Sequence, residues 1–366
     1  MKIVVTGTRG IPNILGGVET HCQELFPLIA ACGYDVTVVR RKVYVQDSLT
    51  EYKGVHLVDI STLPQKSFEA IIHTLKAVWL SKFSIHADIL HIHAIGPSLL
   101  VPFARLLGLK VVFTHHGFDY DREKWGGLAK IILKIGEWMG CRFANEVIVI
   151  SKVINDFIKQ EYNRFNAHLI YNGVQKPTFI DNTTYLEQLG INKNQYIFAM
   201  GRFVPEKNFH QLIDVFAQYF SSEYQMVLAG DAIHEDEYSQ KLKQLAKENN
   251  VILTGFVKNE KLHELLTHAK IFVLPSSHEG LPISLLEAMS YHLPVLASDI
   301  AANLEVGLSS ENYFSVGDKL DLRKKILALC TSGKARVAYP MDKYNWNNIA
   351  AHTITVYQRL TRNDAK

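Results

Sequence analysis

An α/β protein of two doubly wound, Rossmann-like domains facing a central cleft is the architecture to which three features of this sequence point. Short β-branched runs alternate with helical patterns, the signature of parallel sheets with helices on both faces. The alternation restarts near Tyr196, after a stretch rich in turn formers. A chain of 366 residues is also too long for one ordinary core and suits two.

In the first half, residues 3–6 read as a strand, followed by a glycine-rich turn and a helix over 17–32, with Gly33 as its C′ stop. Further strands fall at 35–39, 89–93, 110–114, 146–150 and 168–170. Residues 173–184, with Pro177, Asp181, Asn182 and several threonines, read as a linker. The second series has strands at 196–200, 225–229, 251–254, 271–274 and 294–297, and a helix at 209–219. This predicts one domain over 1–175 and another over 185–343. In the last segment Trp346, Ile349, Ala350, Ile354 and Tyr357 fall near helical spacing. That spacing alone fits packing on either domain; we assign 344–366 as a C-terminal helix that packs back on the first.

Composition narrows the function. Hydrophobic residues at 48% and charged residues at 20% describe a folded globular chain rather than a disordered one. A net charge of only +3 argues against a dedicated nucleic-acid binder. Cys22, Cys32, Cys141 and Cys330 form no CxxC pair, so neither a disulfide framework nor a cysteine zinc site is expected. The N-terminus lacks a signal-peptide pattern. The most apolar stretch, 89–113, is broken by His91, His93, Pro97, Pro102, Arg105 and Lys110, whereas a spanning helix wants about 20 apolar residues in a row. A cytoplasmic protein without an integral anchor is the expectation.

The first turn, Thr6-Gly7-Thr8-Arg9-Gly10-Ile11-Pro12, ends in Gly16-Gly17-Val18-Glu19 at the start of a helix. It is neither a dinucleotide fingerprint nor a Walker loop. Backbone without a Cβ can approach a ligand closely, and a helix N-terminus favours an anion; an ordinary tight turn is the alternative. In the second half, Gly201-Arg202 ends a strand and Lys207 opens a helix, a cationic pair suited to a diphosphate or to plain solvation. Then comes His278-Glu279-Gly280-Leu281-Pro282, with Pro282 placed like a first-turn proline. Glu279 precedes that helix and Glu287 lies inside it among Leu285, Leu286, Ala288 and Met289. A buried acid needs a polar partner, and ligand hydroxyls are good ones.

Taken together, Gly16-Gly17-x-Glu19, His115-His116-Gly117, Tyr171-Asn172-Gly173-Val174, Gly201-Arg202 with Lys207, and Glu279 followed by Glu287 resemble glycosyltransferase family 4 over almost the whole chain. The Glu-x7-Glu segment is the most specific part. The opening Gly-Thr-Arg-Gly-Ile-Pro resembles a bacterial rhamnosyltransferase-like subgroup that builds surface polysaccharide. The resemblance implies a GT-B fold with an acceptor-side first domain and a donor-side second domain. It also implies retaining transfer from a nucleotide-sugar, without a metal or other cofactor.

By the same resemblance, Arg202 and Lys207 hold the donor diphosphate and Gly16 and Gly17 approach it from the other domain. Glu287 takes the ribose. Glu279, Gly280 and Leu281 take the donor sugar, and Phe256 and Val257 the base. His116 lies near the reaction centre, so His116, Arg202, Lys207 and Glu279 are the catalytic candidates. The donor would be a UDP- or dTDP-sugar. The acceptor would be a glycan or polyprenyl-linked glycan of O-antigen, capsule or lipopolysaccharide. Runner-up readings are a nucleotide-sugar epimerase of the same fold and a non-catalytic sugar-nucleotide-binding protein.

Other signals weigh less. Asp119-Tyr120-Asp121 spells a metal-binding Asp-x-Asp, but away from the phosphate cations. His91, His93, His115 and His116 are metal-capable, although alternation puts His91 and His93 on one face, where a structural role is open. No metal site is assigned. In 121–143, Trp125, Leu128, Ile131, Ile132, Ile135, Trp138 and Met139 form an apolar stripe beside Arg122, Lys124, Lys130, Lys134 and Arg142. Such a helix suits an anionic membrane at the inner face of the cell; the alternative is a core-facing helix with a solvated basic side.

Overall fold

All the strands expected from the sequence are present in the computed structural model, which describes residues 1–14, 16–62, 69–121, 126–232, 235–333 and 336–362. The first half runs β1 (Lys2–Thr6), α1 (Gly17–Ala31), β2 (Asp35–Arg41), β3 (Glu51–Tyr52), β4 (Val55–Ile60) and α2 (Glu69–Leu80). It continues with β5 (Ile89–His93), α3 (Val101–Leu106), β6 (Lys110–His115), α4 (Gly127–Phe143), β7 (Glu146–Val149), α5 (Lys152–Tyr162) and β8 (His168–Leu169). The second series is α6 (Thr184–Gln188), β9 (Tyr196–Met200), α7 (Phe209–Tyr219), β10 (Gln225–Ala229), α8 (Glu237–Glu248), β11 (Ile252–Gly255) and α9 (Asn259–His268). After it come β12 (Ile271–Leu274), α10 (Ile283–Ser290), β13 (Val295–Ser298), α11 (Ala301–Leu304), β14 (Tyr313–Phe314), α12 (Lys319–Thr331) and α13 (Trp346–Arg362). One compact unit comprises Met1–Gly173 and Lys343–Lys366, the other Val174–Asp342.

Among the described residues, the first unit's sheet has the order β3-β4-β2-β1-β5-β6-β7-β8. It is parallel except for the β3–β4 pair. That hairpin is the element the sequence reading passes over. Lys53 and Gly54, at φ 50° and 81°, make its two-residue turn, and positive φ at both central positions is the type I′ geometry. Lys-Gly lacks the Asn-Gly signature by which such turns are usually found. The second unit's sheet, β11-β10-β9-β12-β13-β14, is parallel throughout.

The central strands are buried on both faces, as crossover helices require. In the first unit Ile3 and Val5 of β1 and Val36 and Val38 of β2 pack with Phe26 and Ile29 of α1. Trp346, Ile349, Ala350 and Tyr357 of α13 complete that core, while Ile354 is only partly buried. In the second unit Phe209, Leu212 and Phe216 of α7 pack on Ile197 and Ala199 of β9 and Met226 and Leu228 of β10.

Helix α4 turns its faces contrary to the core-facing reading. Gly136, Glu137, Gly140 and Cys141 point inward. A methyl on Gly136 would lie 2.1 Å from the Ile95 carbonyl oxygen, and one on Gly140 2.8 Å from the Phe113 ring. The helix thus seats closely on small residues, and Leu128, Ile131, Ile135 and Trp138 project outward, 41–73% exposed. Arg122, Lys124 and Trp125 of the expected stripe lie outside the described residues. Among the described residues no helix is long and apolar enough to cross a membrane.

A buried hydrogen bond ties α13 to the sheet: the Tyr357 hydroxyl meets His91 Nδ1 at 2.6 Å, and His91 Nε2 meets Thr114 Oγ1 at 2.6 Å. Tyr357 and His91 are both fully buried, so Tyr357→Phe leaves an imidazole nitrogen without a partner. We expect it to lower unfolding free energy by about 1–3 kcal/mol in denaturant titrations, with no change of fold.

Candidate active site

In both sheets the sequence-predicted residues stand after the carboxyl ends of strands, where parallel α/β folds bind ligands. In the first unit, Gly16 caps α1 with φ 147°, and a methyl there would lie 2.0 Å from Glu19 Oε2. Glycine is therefore required at Gly16 by the loop itself. At Gly17 a methyl would meet nothing within 4 Å, so what that position preserves is open space. Glu19 is used inside the loop, accepting from the Arg9 N–H at 3.0 Å and the Thr8 hydroxyl at 3.4 Å. The first N–H groups of α1 have no intrahelical acceptor and carry the positive end of the helix dipole.

A stack of imidazoles lies beside this loop. His91 and His93 share one face of β5, with ring centroids 4.2 Å apart. His93 Nδ1 bonds His116 Nε2 at 2.8 Å. His21 of α1 stands edge-on to His116 with centroids 4.9 Å apart, and its Nδ1 bonds Asn172 Oδ1 at 3.0 Å. Burial, reinforced by neighbouring imidazoles, holds His93 and His116 well below the ordinary histidine pKa. The same causes lower His91 to about 3, and burial lowers His21 to about 4. All four are neutral imidazoles at pH 7, and His116, half-buried, presents the edge of the stack.

The two adjacent histidines have separate duties. His115 is fully buried, and its Nε2 bonds the buried Glu137 at 2.6 Å while its Nδ1 accepts from the Gly117 N–H. Tyr162 and Tyr120 also donate to Glu137. That network holds the turn after β6 and leaves His116 as the half-exposed member. Asp119 begins the turn that follows; the side chain of Asp121 lies outside the described residues. Among the described residues one trio could hold a metal: His21, His93 and His116, with ligand atoms within 4.8 Å of one another. His93 and His116 share a proton there, which a metal ion would have to replace. Asp119 belongs to no such group.

In the second unit, Gly201 and Arg202 follow β9, Phe256 and Val257 follow β11, and Glu279, Gly280 and Leu281 follow β12. Strand order makes β11, β10, β9 and β12 neighbours, so these segments share one edge of the sheet. The Lys207 ammonium, in the turn before α7, contacts the Glu279 carboxylate, which also accepts from the Ser276 hydroxyl at 2.7 Å. Both charged side chains are mostly buried, at 13% and 12% exposure. Arg202 is half-buried, Leu281 buried, and Phe256 40% exposed. Pro282 is the N-cap of α10 rather than its first residue, with ψ 109°. Glu287 is half-buried, not buried: with Ile283 and Ser284 it makes the stripe of α10 that the core leaves uncovered. His21 escapes the sequence reading because its partner Asn172 is distant along the chain, and Ser276 because no motif marks it, although it lies only three residues before Glu279.

Residues 15–176 match the family model described as Glycosyltransferase Family 4, and residues 181–342 match Glycosyl transferases group 1. A UDP-Gal:alpha-D-GlcNAc-diphosphoundecaprenol alpha-1,3-galactosyltransferase of Escherichia coli is 27% identical, covering 82% of this chain and 81% of its own. Sucrose-phosphate synthase from Thermosynechococcus elongatus shares the fold at TM-score 0.84 and 20% identity over 99% of both chains. Anabaena HepE, solved with UDP-glucose, aligns at TM-score 0.76 and 19% identity over 100% of this chain and 99% of its own.

The chain is a GT-B glycosyltransferase of the family 4 type. For this glycosyltransferase, the imidazole stack has a consequence for stability. Below pH 6.5 an unfolded histidine takes up a proton that the folded His21 and His91 refuse until about 4 and about 3. Their contribution is therefore present above the unfolded pKa and lost as pH falls through that window, at about 1.4 kcal/mol per unit for each group. Calorimetric melts from pH 7.5 to 5.0 should show a falling midpoint, and His91→Gln should flatten that slope.

Proposed function

We propose that this glycosyltransferase moves a sugar from a UDP- or dTDP-sugar to a glycan or lipid-linked glycan of bacterial surface polysaccharide, with retention at the anomeric carbon and no metal. The contact of Lys207 with Glu279 at the carboxyl edge of the second sheet carries the reading. It sets a cation and an acceptor of hydroxyl hydrogen bonds side by side, as a sugar diphosphate needs. Names of relatives support the chemistry: a galactosyltransferase whose acceptor is a diphosphoundecaprenol-linked sugar, and HepE solved with UDP-glucose.

In this mechanism the glycosyl–phosphate C–O bond breaks as positive charge grows on the sugar and negative charge on the departing diphosphate. Arg202 and Lys207 stabilise that diphosphate, and the α1 N-terminus at Gly16 and Gly17 adds its dipole. Glu279 and the backbone of Gly280 and Leu281 orient the sugar, Glu287 the ribose, and Phe256 with Val257 the base. The acceptor hydroxyl attacks the face the phosphate leaves, and its proton passes to the leaving phosphate oxygen. His116, a neutral imidazole, lies along the sugar and can accept a hydroxyl hydrogen bond without adding charge. The products are the glycoside and a nucleoside diphosphate. The opening Gly-Thr-Arg-Gly-Ile-Pro favours the rhamnosyltransferase-like branch.

Thermal shift with UDP, dTDP and their sugars tests the donor assignment. A donor-specific stabilisation should survive EDTA and weaken at least tenfold in affinity, about 1.4 kcal/mol, in Lys207→Ala. Arg202→Ala should lower kcat by about 10²–10³. Product NMR should show retention; an inverted anomeric centre rejects the mechanism.

The outward face of α4 supports a peripheral membrane contact within this reading. Leu128, Ile131, Ile135 and Trp138 are exposed beside Lys130, Lys134 and Arg142, an apolar surface with a basic margin that complements anionic lipid. Phosphatidylglycerol vesicles should sediment the protein at low salt and phosphatidylcholine vesicles should not. Trp138→Ser with Lys134→Glu should abolish that binding.

A further inference from the structure

On the β2 side of β1, opposite the histidine stack on β5 and β6, the first unit holds a second polar cluster that the proposed reaction leaves without a role. Arg41 ends β2, Tyr44 lies in the turn that follows, Glu69 begins α2, and Arg9 belongs to the loop after β1. The Arg41 N–H donates to the Arg9 carbonyl at 2.9 Å, joining strand end to loop. The Arg9 guanidinium lies over the Tyr44 ring, 5.3 Å from its centre. Its Nη1 is 3.8 Å from where a methyl on Gly16 would sit, so the cluster borders the glycine-rich loop.

Within this cluster two charged atoms are unused. The Tyr44 hydroxyl donates to Glu69 Oε2 at 3.2 Å, but Glu69 Oε1 has no hydrogen-bond partner among the described residues. Arg41 Nε has none either. Glu69 is only 6% exposed, and both atoms are buried. Had their duty been structural, guanidinium and carboxylate would have closed on each other in a bidentate pair, the strong arrangement available to them. Instead a donor and an acceptor of opposite charge lie in one cluster, each unsatisfied. His73, one turn further along α2, is fully buried beside them.

An alcohol is the small group that satisfies both, because its oxygen accepts from an N–H while its proton goes to a carboxylate. Carbohydrates present such groups in fixed geometry, whereas a phosphate would be repelled by Glu69. We infer that Arg41 and Glu69 form an acceptor subsite, in which a sugar hydroxyl of the acceptor glycan bridges Arg41 Nε–H and Glu69 Oε1, walled by Tyr44 and Arg9. The inference rests on the glycosyl-transfer reading and adds to it the residues that select the acceptor. A sugar without that hydroxyl leaves two buried polar atoms unpaired, which is how such a site discriminates.

The test uses the full chain with UDP present and saturation-transfer NMR against methyl α-glycosides of glucose, galactose, N-acetylglucosamine and rhamnose. Wild type should bind at least one. Glu69→Gln, which keeps the side chain's size, and Arg41→Lys, which removes Nε, should each weaken that binding tenfold or more. Stabilisation by UDP should be unchanged in both variants, showing that fold and donor site are intact. If Arg41→Lys does not fold, Glu69→Gln carries the test. Undiminished glycoside binding in Glu69→Gln, or no binding of any of the four by a wild type that UDP stabilises, overturns the subsite. Failure of the transfer reading shows separately, as a wild type stabilised by neither UDP nor dTDP, and would remove the acceptor assignment with it.

Discussion

A parallel strand can be followed only by a crossover, so every strand in such a sheet delivers its chain to a loop on the same edge. The candidate residues of this protein follow from that constraint. Gly16 after β1, Arg41 at the end of β2, His93 on β5 and His116 after β6 stand on one edge of the first sheet. Arg202 after β9, Phe256 after β11 and Glu279 after β12 stand on one edge of the second. Chemistry scattered over long stretches of sequence is gathered by strand order alone. The side chains are then fixed by local bonds, such as the Ser276 hydroxyl on Glu279.

Several of the buried polar groups that the sequence marks in the first unit are already satisfied within the fold. His91, with Tyr357 and Thr114 on its two nitrogens, has nothing left to offer a ligand. His115 is likewise consumed by Glu137 and Gly117. Glu19, which belongs to the recognisable Gly-Gly-x-Glu pattern, spends its carboxylate on Arg9 and Thr8. By contrast Glu69 and Arg41, which no motif marks, retain buried atoms that are unpaired among the described residues. An unsatisfied buried polar atom is costly enough, about 1–3 kcal/mol, that folds seldom keep one without use.

Helix α4 shows how two methyl groups can decide a surface. Its apolar stripe has the period of a core helix, and periodicity alone does not say which face meets the sheet. Glycine at 136 and 140 permits an approach that any side chain would block, so that narrow strip becomes the buried face. The larger residues are left outside, where they need either solvent or an apolar partner.

The sequence by itself determined the alternation of strand and helix, the restart that marks a second domain, and the residue types suited to a nucleotide-sugar. These depend on local periodicity and on short motifs, which survive without knowledge of contacts. Tertiary structure decided which of two neighbouring histidines is consumed, that Glu287 lies on an uncovered stripe, that Lys-Gly closes a hairpin, and that Arg41 is set near Tyr44 and Glu69. Except for the hairpin, which turns on the positive φ of two adjacent residues, each of these depends on packing between residues distant along the chain. Burial and hydrogen-bond satisfaction are properties of that packing, and no residue carries them in its identity.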